Sequence, residues 1–207
     1  KVDAVVFSSA IKSDNVEIKE AIFKKIPLLS RADMLGELMK NKKSIAIAGS
    51  HGKTTTTSLV GNILSYANLD PTIVNGGIIN SLSKNNRFGK GDWMVVEADE
   101  SDGSFLKLPH QISIITNLDI EHMDFYQNKD NLISSFNNFI NMLPFYGISV
   151  VCLDDKNLSL LVKKIKTRNI ITYSIKNKKA DVFIYDIKKN QKNTSFKLKT
   201  SNRLLLK

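Results

Sequence analysis

Residues 44–55 read SIAIAGSHGKTT: a short apolar strand, a glycine-hinged loop and the triplet Lys53-Thr54-Thr55. A chain that leaves a β-branched strand through such a loop and enters a helix at once has few folds open to it. The backbone N–H groups of the loop and first helical turn converge on one point, which suits an anion. Gly49, Ser50, His51, Gly52, Lys53, Thr54 and Thr55 therefore form a candidate phosphate-binding loop. Lys53 brings a point charge for the outer phosphates, and the Thr54 hydroxyl can coordinate a metal ion. The helix that opens in TTTTSLVGNILSYA adds its dipole. The spacing departs from G-x-x-x-x-G-K-[ST], because Ile47 stands where the first glycine would be. A lysine at a helix start is expected to face solvent, with little packing to lose.

Two more segments share this design. Residues 93–106 read WMVVEADESDGSFL, an apolar strand ending in Glu97, Asp99, Glu100 and Asp102. Residues 111–126 read QISIITNLDIEHMDFY, a strand followed by Asp119, Glu121, His122 and Asp124. Each strand delivers polar groups just past its carboxyl end, the edge at which open parallel α/β sheets bind ligands. One acidic loop is an ordinary solvated turn; three strand ends supply a phosphate cradle, a carboxylate for a divalent cation and an imidazole. A carboxylate of this loop, Glu97 or Glu100 three residues on, is the hard oxygen donor that Mg²⁺ prefers. His122 suits Mn²⁺ or Zn²⁺ better than Mg²⁺. Asp99, Ser101 and Asp102 are candidates for positioning substrate or water.

The 30 Lys and Arg against 20 Asp and Glu give a net charge of +10, which raises the question of nucleic acid. The lysines are spread along the chain, densest over 156–199, and do not alternate with aromatics as a base-stacking surface would. No nucleic-acid partner is expected. No stretch approaches the ~20 apolar residues of a membrane span. The lone Cys152, in the apolar run ISVVCL, reads as a small core residue. Without a second cysteine there is no internal disulfide, which fits a cytoplasmic location.

The fold expected is α/β: a parallel-sheet, phosphate-loop domain over 44–207, preceded over 1–41 by the end of a Rossmann-like domain, with the polar NKKS at 41–44 as the junction. In the first part, strands at 2–7 and 27–29 alternate with helices at 15–24 and 32–39, the spacing of βαβ units. In the second, strands are expected at 44–48, 72–74, 93–97, 112–117, 148–153 and 169–173, with helices at 53–67, 129–142 and 156–166. Residues 75–91 read as a glycine-containing loop. From 180 on, period-two alternation around a polar turn indicates an antiparallel hairpin. The first residues read as the middle of an α/β unit, and SNRLLLK stops inside a strand-like pattern, so the chain is read as an internal fragment.

These residues carry a family resemblance. The chain is similar to the Mur ligases through SSAI (8–11), IPLLSRADMLGELM (26–39), AGSHGKTTTT (48–57), LDPTIVNGG (69–77), EADESDGSFL (97–106), TNLDIEHMDFY (116–126) and LPFYGISVVCLDD (143–155). The resemblance covers nearly the whole chain and is strongest to members that join L-alanine to UDP-N-acetylmuramate in peptidoglycan synthesis. It implies ATP and Mg²⁺, with Mn²⁺ able to substitute, and an acyl phosphate formed on a substrate carboxylate. It implies Lys53, Glu97 and His122 as catalytic positions, Thr54, Glu97 and His122 at the metal, and Asn75 and Gly76 near the muramyl substrate. Ser50 stands where relatives usually carry Thr, and Glu121 precedes His122 where Asp is commoner. The resemblance also implies a C-terminal domain that selects the amino acid, so these residues alone are expected to be inactive. The oligomeric state is left open.

Overall fold

In a computed structural model, the chain is described over residues 2–8, 10–79, 84–166 and 168–201. Ser9 of the SSAI string and the terminal 202–207 run lie outside the described residues. The first unit is small: β1 (Val5–Phe7), α1 (Val16–Phe23), β2 (Leu28–Ser30) and α2 (Arg31–Met39), with β1 and β2 parallel. Short polar side chains start both helices. Asn15 accepts the N–H groups of Glu17 and Ile18, and Ser30 and Asp33 form a reciprocal capping box.

The second unit is a nine-stranded sheet. Its elements are β3 (Lys43–Ala48), α3 (Lys53–Tyr66), β4 (Thr72–Ile79), β5 (Lys84–Arg87), β6 (Trp93–Glu97), β7 (Ile112–Ile115), α4 (Met123–Tyr126), α5 (Lys129–Asn141), β8 (Ile148–Cys152), α6 (Lys156–Lys164), β9 (Asn169–Ser174), β10 (Val182–Lys189) and β11 (Thr194–Thr200). The order is β11-β10-β9-β8-β7-β3-β6-β4-β5. Strands β4 to β10 apart from β5 run parallel with β3, while β5 and β11 close the two edges antiparallel. The α/β class and parallel sheet read from the sequence hold. The chain leaves β3 to build β4–β6 on one side and β7–β10 on the other. The strand order thus reverses at β3, the switch point beside which a crevice opens in such sheets.

The register sets what meets at that crevice. Ile47 pairs with Glu97, Ala48 with Ile115, and Val74 with Val96. The loop after β3, the acidic loop after β6, the Asn75-Gly76 step and the segment after β7 therefore emerge together.

One expectation is corrected here. Of the segment 75–91, read as a loop, residues 75–79 instead continue β4 and 84–87 form β5 antiparallel to it, while 80–83 lie outside the described residues. The β-branched residues around Asn75-Gly76-Gly77 favour extended backbone, and a register shift between Val74 and Ile79 absorbs the glycines as an edge irregularity. Two short elements carry no periodic signal in the sequence: a 3₁₀ turn at Ser104–Lys107 and α4.

The main core lies on the face covered by α5, α6 and the 3₁₀ turn. Phe105, Phe136 and Phe139 are fully buried there and stack at centroid distances of 5.4 and 5.0 Å. Burying each such ring stabilises the fold by roughly 2–3 kcal/mol. α3 packs over Ile45, Ile47 and Val95 on the other face. His110, in the loop before β7, is buried against Phe139 at 4.3 Å between centroids, with Nδ1 on the Leu108 carbonyl. Burial in this apolar setting holds its pKa below the usual histidine range, against the pull of its hydrogen bonding to backbone.

Candidate functional site

The phosphate loop is shaped by two glycines in conformations other residues avoid. Gly49 has φ +134° and Gly52, which caps α3, has φ +81°. A Cβ on Gly49 would also lie 2.2 Å from the Thr116 Oγ1. The loop hugs the segment after β7 that closely because side chains there hold it. The Asn117 amide accepts the His51 N–H at 2.8 Å and donates to the His51 carbonyl at 2.9 Å, which also accepts from Thr116 Oγ1 at 2.7 Å. Ser50 Oγ accepts the Asp119 N–H at 2.9 Å.

This clamp decides which donors remain. The His51 N–H is taken by Asn117, whereas among the described residues the N–H groups of 52, 53, 54 and 55 have no protein acceptor. Those four form a surface that could receive an anion, at the positive end of the 14-residue α3. Thr55 lies there with an exposed side chain.

Lys53 is not the solvent-facing residue expected at a helix start. Only 13% of its side chain is exposed, because Nζ reaches back to the Gly49 carbonyl at 2.8 Å and to Glu100 at 2.8 and 3.1 Å. Glu100 is buried, with 1% of its side chain exposed, so the ammonium sets an opposite charge against a carboxylate shut away from water. The Glu100 carbonyl in turn accepts from the Tyr126 hydroxyl. Burial first, and the Glu100 carboxylate next, push the Tyr126 pKa up, so that it remains a neutral donor.

Glu97 faces a different set. Its carboxylate accepts from Thr54 Oγ1 at 3.0 and 3.1 Å and from the Gly76 N–H at 2.7 Å. A Cβ on Gly76 would stand 3.1 Å from that carboxylate, so glycine permits the approach. Asn75 donates to the Thr54 carbonyl at 3.2 Å and to Ser58 Oγ at 2.9 Å, and its Oδ1 is buried without a protein partner. His122, in the left-handed conformation at φ 57° as it caps α4, lies 3.9 Å from Glu100 rather than in contact with Glu97. His51, at the outer lip, is 3.1 Å from Asp119 and 3.4 Å from Glu121.

Lys53, Asn75, Gly76, Glu97, Asp99 and His122 all line one cavity of about 440 Å³. Asp99 is bound by Ser101, while Asp102 caps Ser104 on the far side of its loop, outside that lining. Among the described residues, no group of three or more His, Cys, Asp and Glu side chains converges as a ready-made metal cage. The Thr54–Glu97 pair instead presents hard oxygens at the cavity. That donor set fits Mg²⁺, which keeps much of its shell as water and substrate phosphate. Glu100, the alternative ligand, is engaged by Lys53.

Sequence reasoning missed the Asn117 clamp, the Lys53–Glu100 pair and the Tyr126 anchor. The TN dipeptide after β7 was the one available signal for the first. An Asn just past a strand end can serve both sides of a neighbouring peptide, but its partner is fixed only by the sheet.

Residues 47–206 match the Mur ligase middle domain, and residues 1–43 match a second model of the Mur ligase family, described as its catalytic domain. The chain is 52% identical over 185 residues to UDP-N-acetylmuramate–L-alanine ligase of Azorhizobium caulinodans, covering 89% of this chain and 39% of that protein. It is 49% identical over 201 residues to the enzyme of the same name from Rhodopseudomonas palustris, covering 97% and 43%. It thus spans about two-fifths of the length of these relatives. The crystal structure of UDP-N-acetylmuramate-alanine ligase from Thermotoga maritima is similar with a TM-score of 0.80 and 26% identity, covering 96% of this chain and 44% of that one. A murein peptide ligase from Neisseria meningitides shares the fold, with a TM-score of 0.79 at 21% identity over 96% of this chain and 64% of that one.

Proposed function

This chain belongs to the Mur ligase family, and on that premise we propose that it is part of an ATP-dependent ligase joining L-alanine to UDP-N-acetylmuramate. Residues 44–207 are the ATP-binding central domain, and residues 1–41 the latter part of the domain that takes the UDP portion. The observation that carries the reading is the convergence at one sheet edge of a phosphate loop with four open N–H groups, the Lys53 ammonium and the Thr54–Glu97 pair. About half-identity to two ligases of that name supports the choice of substrates.

A carboxylate is a poor acyl donor, because its leaving group would be oxide. Its oxygen attacks the γ-phosphorus of ATP, the bond to the ADP oxygen breaks, and an acyl phosphate forms. The amine of L-alanine then attacks the carbonyl carbon, phosphate departs with the bonding pair, and the amine proton is lost. The protein's task is placement and neutralisation of charge. The N–H groups of Gly52, Lys53, Thr54 and Thr55, with Gly49, Ser50 and His51 shaping the loop, hold the phosphates. Lys53, on the cavity wall, would supply positive charge to the transferring group. Thr54 and Glu97 would hold Mg²⁺, and His122 lines the same cavity; Mn²⁺ would tolerate the imidazole better. When bound, the ion neutralises phosphate charge. Asn75 and Gly76 border the muramyl carboxylate. ATP and a nucleotide sugar as substrates place the reaction in the cytoplasm; no helix among the described residues is long and apolar enough to cross a membrane.

The test uses the full-length protein. Phosphate release should require UDP-N-acetylmuramate and L-alanine together. Hydroxylamine should trap the acyl phosphate as a hydroxamate when the amino acid is omitted. Preference for the already alanylated nucleotide would assign the protein to a different step.

A further inference from the structure

The cavity beside the phosphate loop gathers negative charge. Glu97 and Asp99 line it, and the reading above brings in two more anions, a nucleotide triphosphate and the carboxylate it phosphorylates. Lys53 is already paired with Glu100, and His122 lies nearest that same carboxylate. Among the described residues, the remaining cationic side chain on the cavity wall is Arg31.

Arg31 comes from the other unit of the chain. It is the first residue of α2, directly after the capping box of Ser30 and Asp33. Asp33 is bound across the units by Lys107 of the 3₁₀ turn at 2.9 Å, which ties the start of α2 to the loop below it. Arg31 itself is exposed and makes no hydrogen bond or close ion pair among the described residues. Its charge is felt through space by Asp102. Three cavities meet at this side chain: the one beside the phosphate loop, one of about 520 Å³ under α2, and a small one of about 190 Å³.

We propose that Arg31 reads the acceptor carboxylate: its guanidinium grips the lactyl carboxylate of the sugar nucleotide and presents it to the γ-phosphate. The inference rests on the ligase reading and deepens it. A planar fork of N–H donors matches a carboxylate two bonds at a time, which a lysine ammonium cannot do. Because Arg31 stands on the first unit and the phosphate loop on the second, the carboxylate is held only when both units face the cavity. A sugar nucleotide without the lactyl group, such as UDP-N-acetylglucosamine, would leave Arg31 unpaired beside Asp102 and gain nothing from it.

The experiment compares Arg31→Ala and Arg31→Lys in the full-length protein. For Arg31→Ala, the KM for UDP-N-acetylmuramate should rise about 50-fold, the loss expected for one charged two-bond contact. The KM values for ATP and L-alanine should move less than about threefold, since neither reaches this side chain. Arg31→Lys should recover part of the loss, with a KM about tenfold above wild type, keeping charge but not the fork. Binding of UDP-N-acetylglucosamine, followed by calorimetry, should be equal in wild type and Arg31→Ala. Equal weakening of both nucleotides would mean that Arg31 reads the diphosphate, and would overturn the proposal. So would an unchanged KM in Arg31→Ala. Wild-type protein that does not turn over UDP-N-acetylmuramate would instead sink the ligase reading itself, a distinct result. Thermal midpoints of the variants should match wild type, because the side chain makes no hydrogen bond or close ion pair to lose.

Discussion

At the scale of single residues, the site is two acid–partner pairs three residues apart in sequence. Glu97 and Glu100 follow one strand, yet one takes the Thr54 hydroxyl and the other the Lys53 ammonium. Adjacent residues of the phosphate loop are thus sorted between two carboxylates, one open to the cavity and one buried. This changes what a lysine substitution does. Lys53→Ala should abolish ATP-dependent turnover, and it should also leave Glu100 buried without its cation. Breaking one side of such a pair costs about 3 kcal/mol or more. Adding Glu100→Gln should return most of that stability and none of the activity. Denaturant melts of the single and double variants, beside phosphate-release assays, check both halves. A Lys53→Ala protein as stable as wild type would show that the pair contributes nothing to the fold. Turnover within a few-fold of wild type would remove Lys53 from the mechanism.

At the scale of elements, the phosphate loop does not hold its own shape. It is braced by the segment after β7, through the Asn117 amide on both sides of the His51 peptide and the Thr116 hydroxyl. Asn117→Ala removes two hydrogen bonds, each worth about 1 kcal/mol net, from a loop that must be ordered before it can bind. ATP affinity should fall about tenfold, with the KM for the sugar nucleotide little changed. Isothermal titration with a non-hydrolysable ATP analogue reads this directly. Unaltered affinity would mean that the loop is rigid without the clamp. The TN dipeptide was visible in the sequence, but its purpose was not. The amide acts 66 residues back along the chain, and only the pairing of β3 with β7 brings the two together.

At the scale of the whole molecule, stability depends on a histidine that the site does not use. His110 sits under α5 against Phe139, 3% exposed, with its pKa pressed down chiefly by burial. A depressed folded pKa gives stability that is present above the unfolded pKa of about 6.5 and is lost as pH falls through the folded value. Urea midpoints of the wild type should therefore drop between about pH 7 and pH 5 by more than those of His110→Gln. Parallel curves would show that protonating His110 costs the fold nothing.

The sequence by itself determined the α/β class, the phosphate loop and nearly all the strands and helices. Those features are local: apolar runs, a glycine hinge and helical spacing need no knowledge of distant neighbours. Glu97 and His122 came forward as candidates through the resemblance to the Mur ligases. Tertiary structure decided the rest. Which carboxylate meets Lys53, which meets Thr54, why Asn75-Gly76 continues a strand, and why Arg31 overlooks the cavity all follow from sheet register and from the packing of α2 on the 3₁₀ turn. The Lys53–Glu100 and Thr54–Glu97 contacts join residues 47 and 43 positions apart. A slip of one residue in pairing turns every side chain of a strand to the opposite face, so such contacts exist only once the whole sheet has formed.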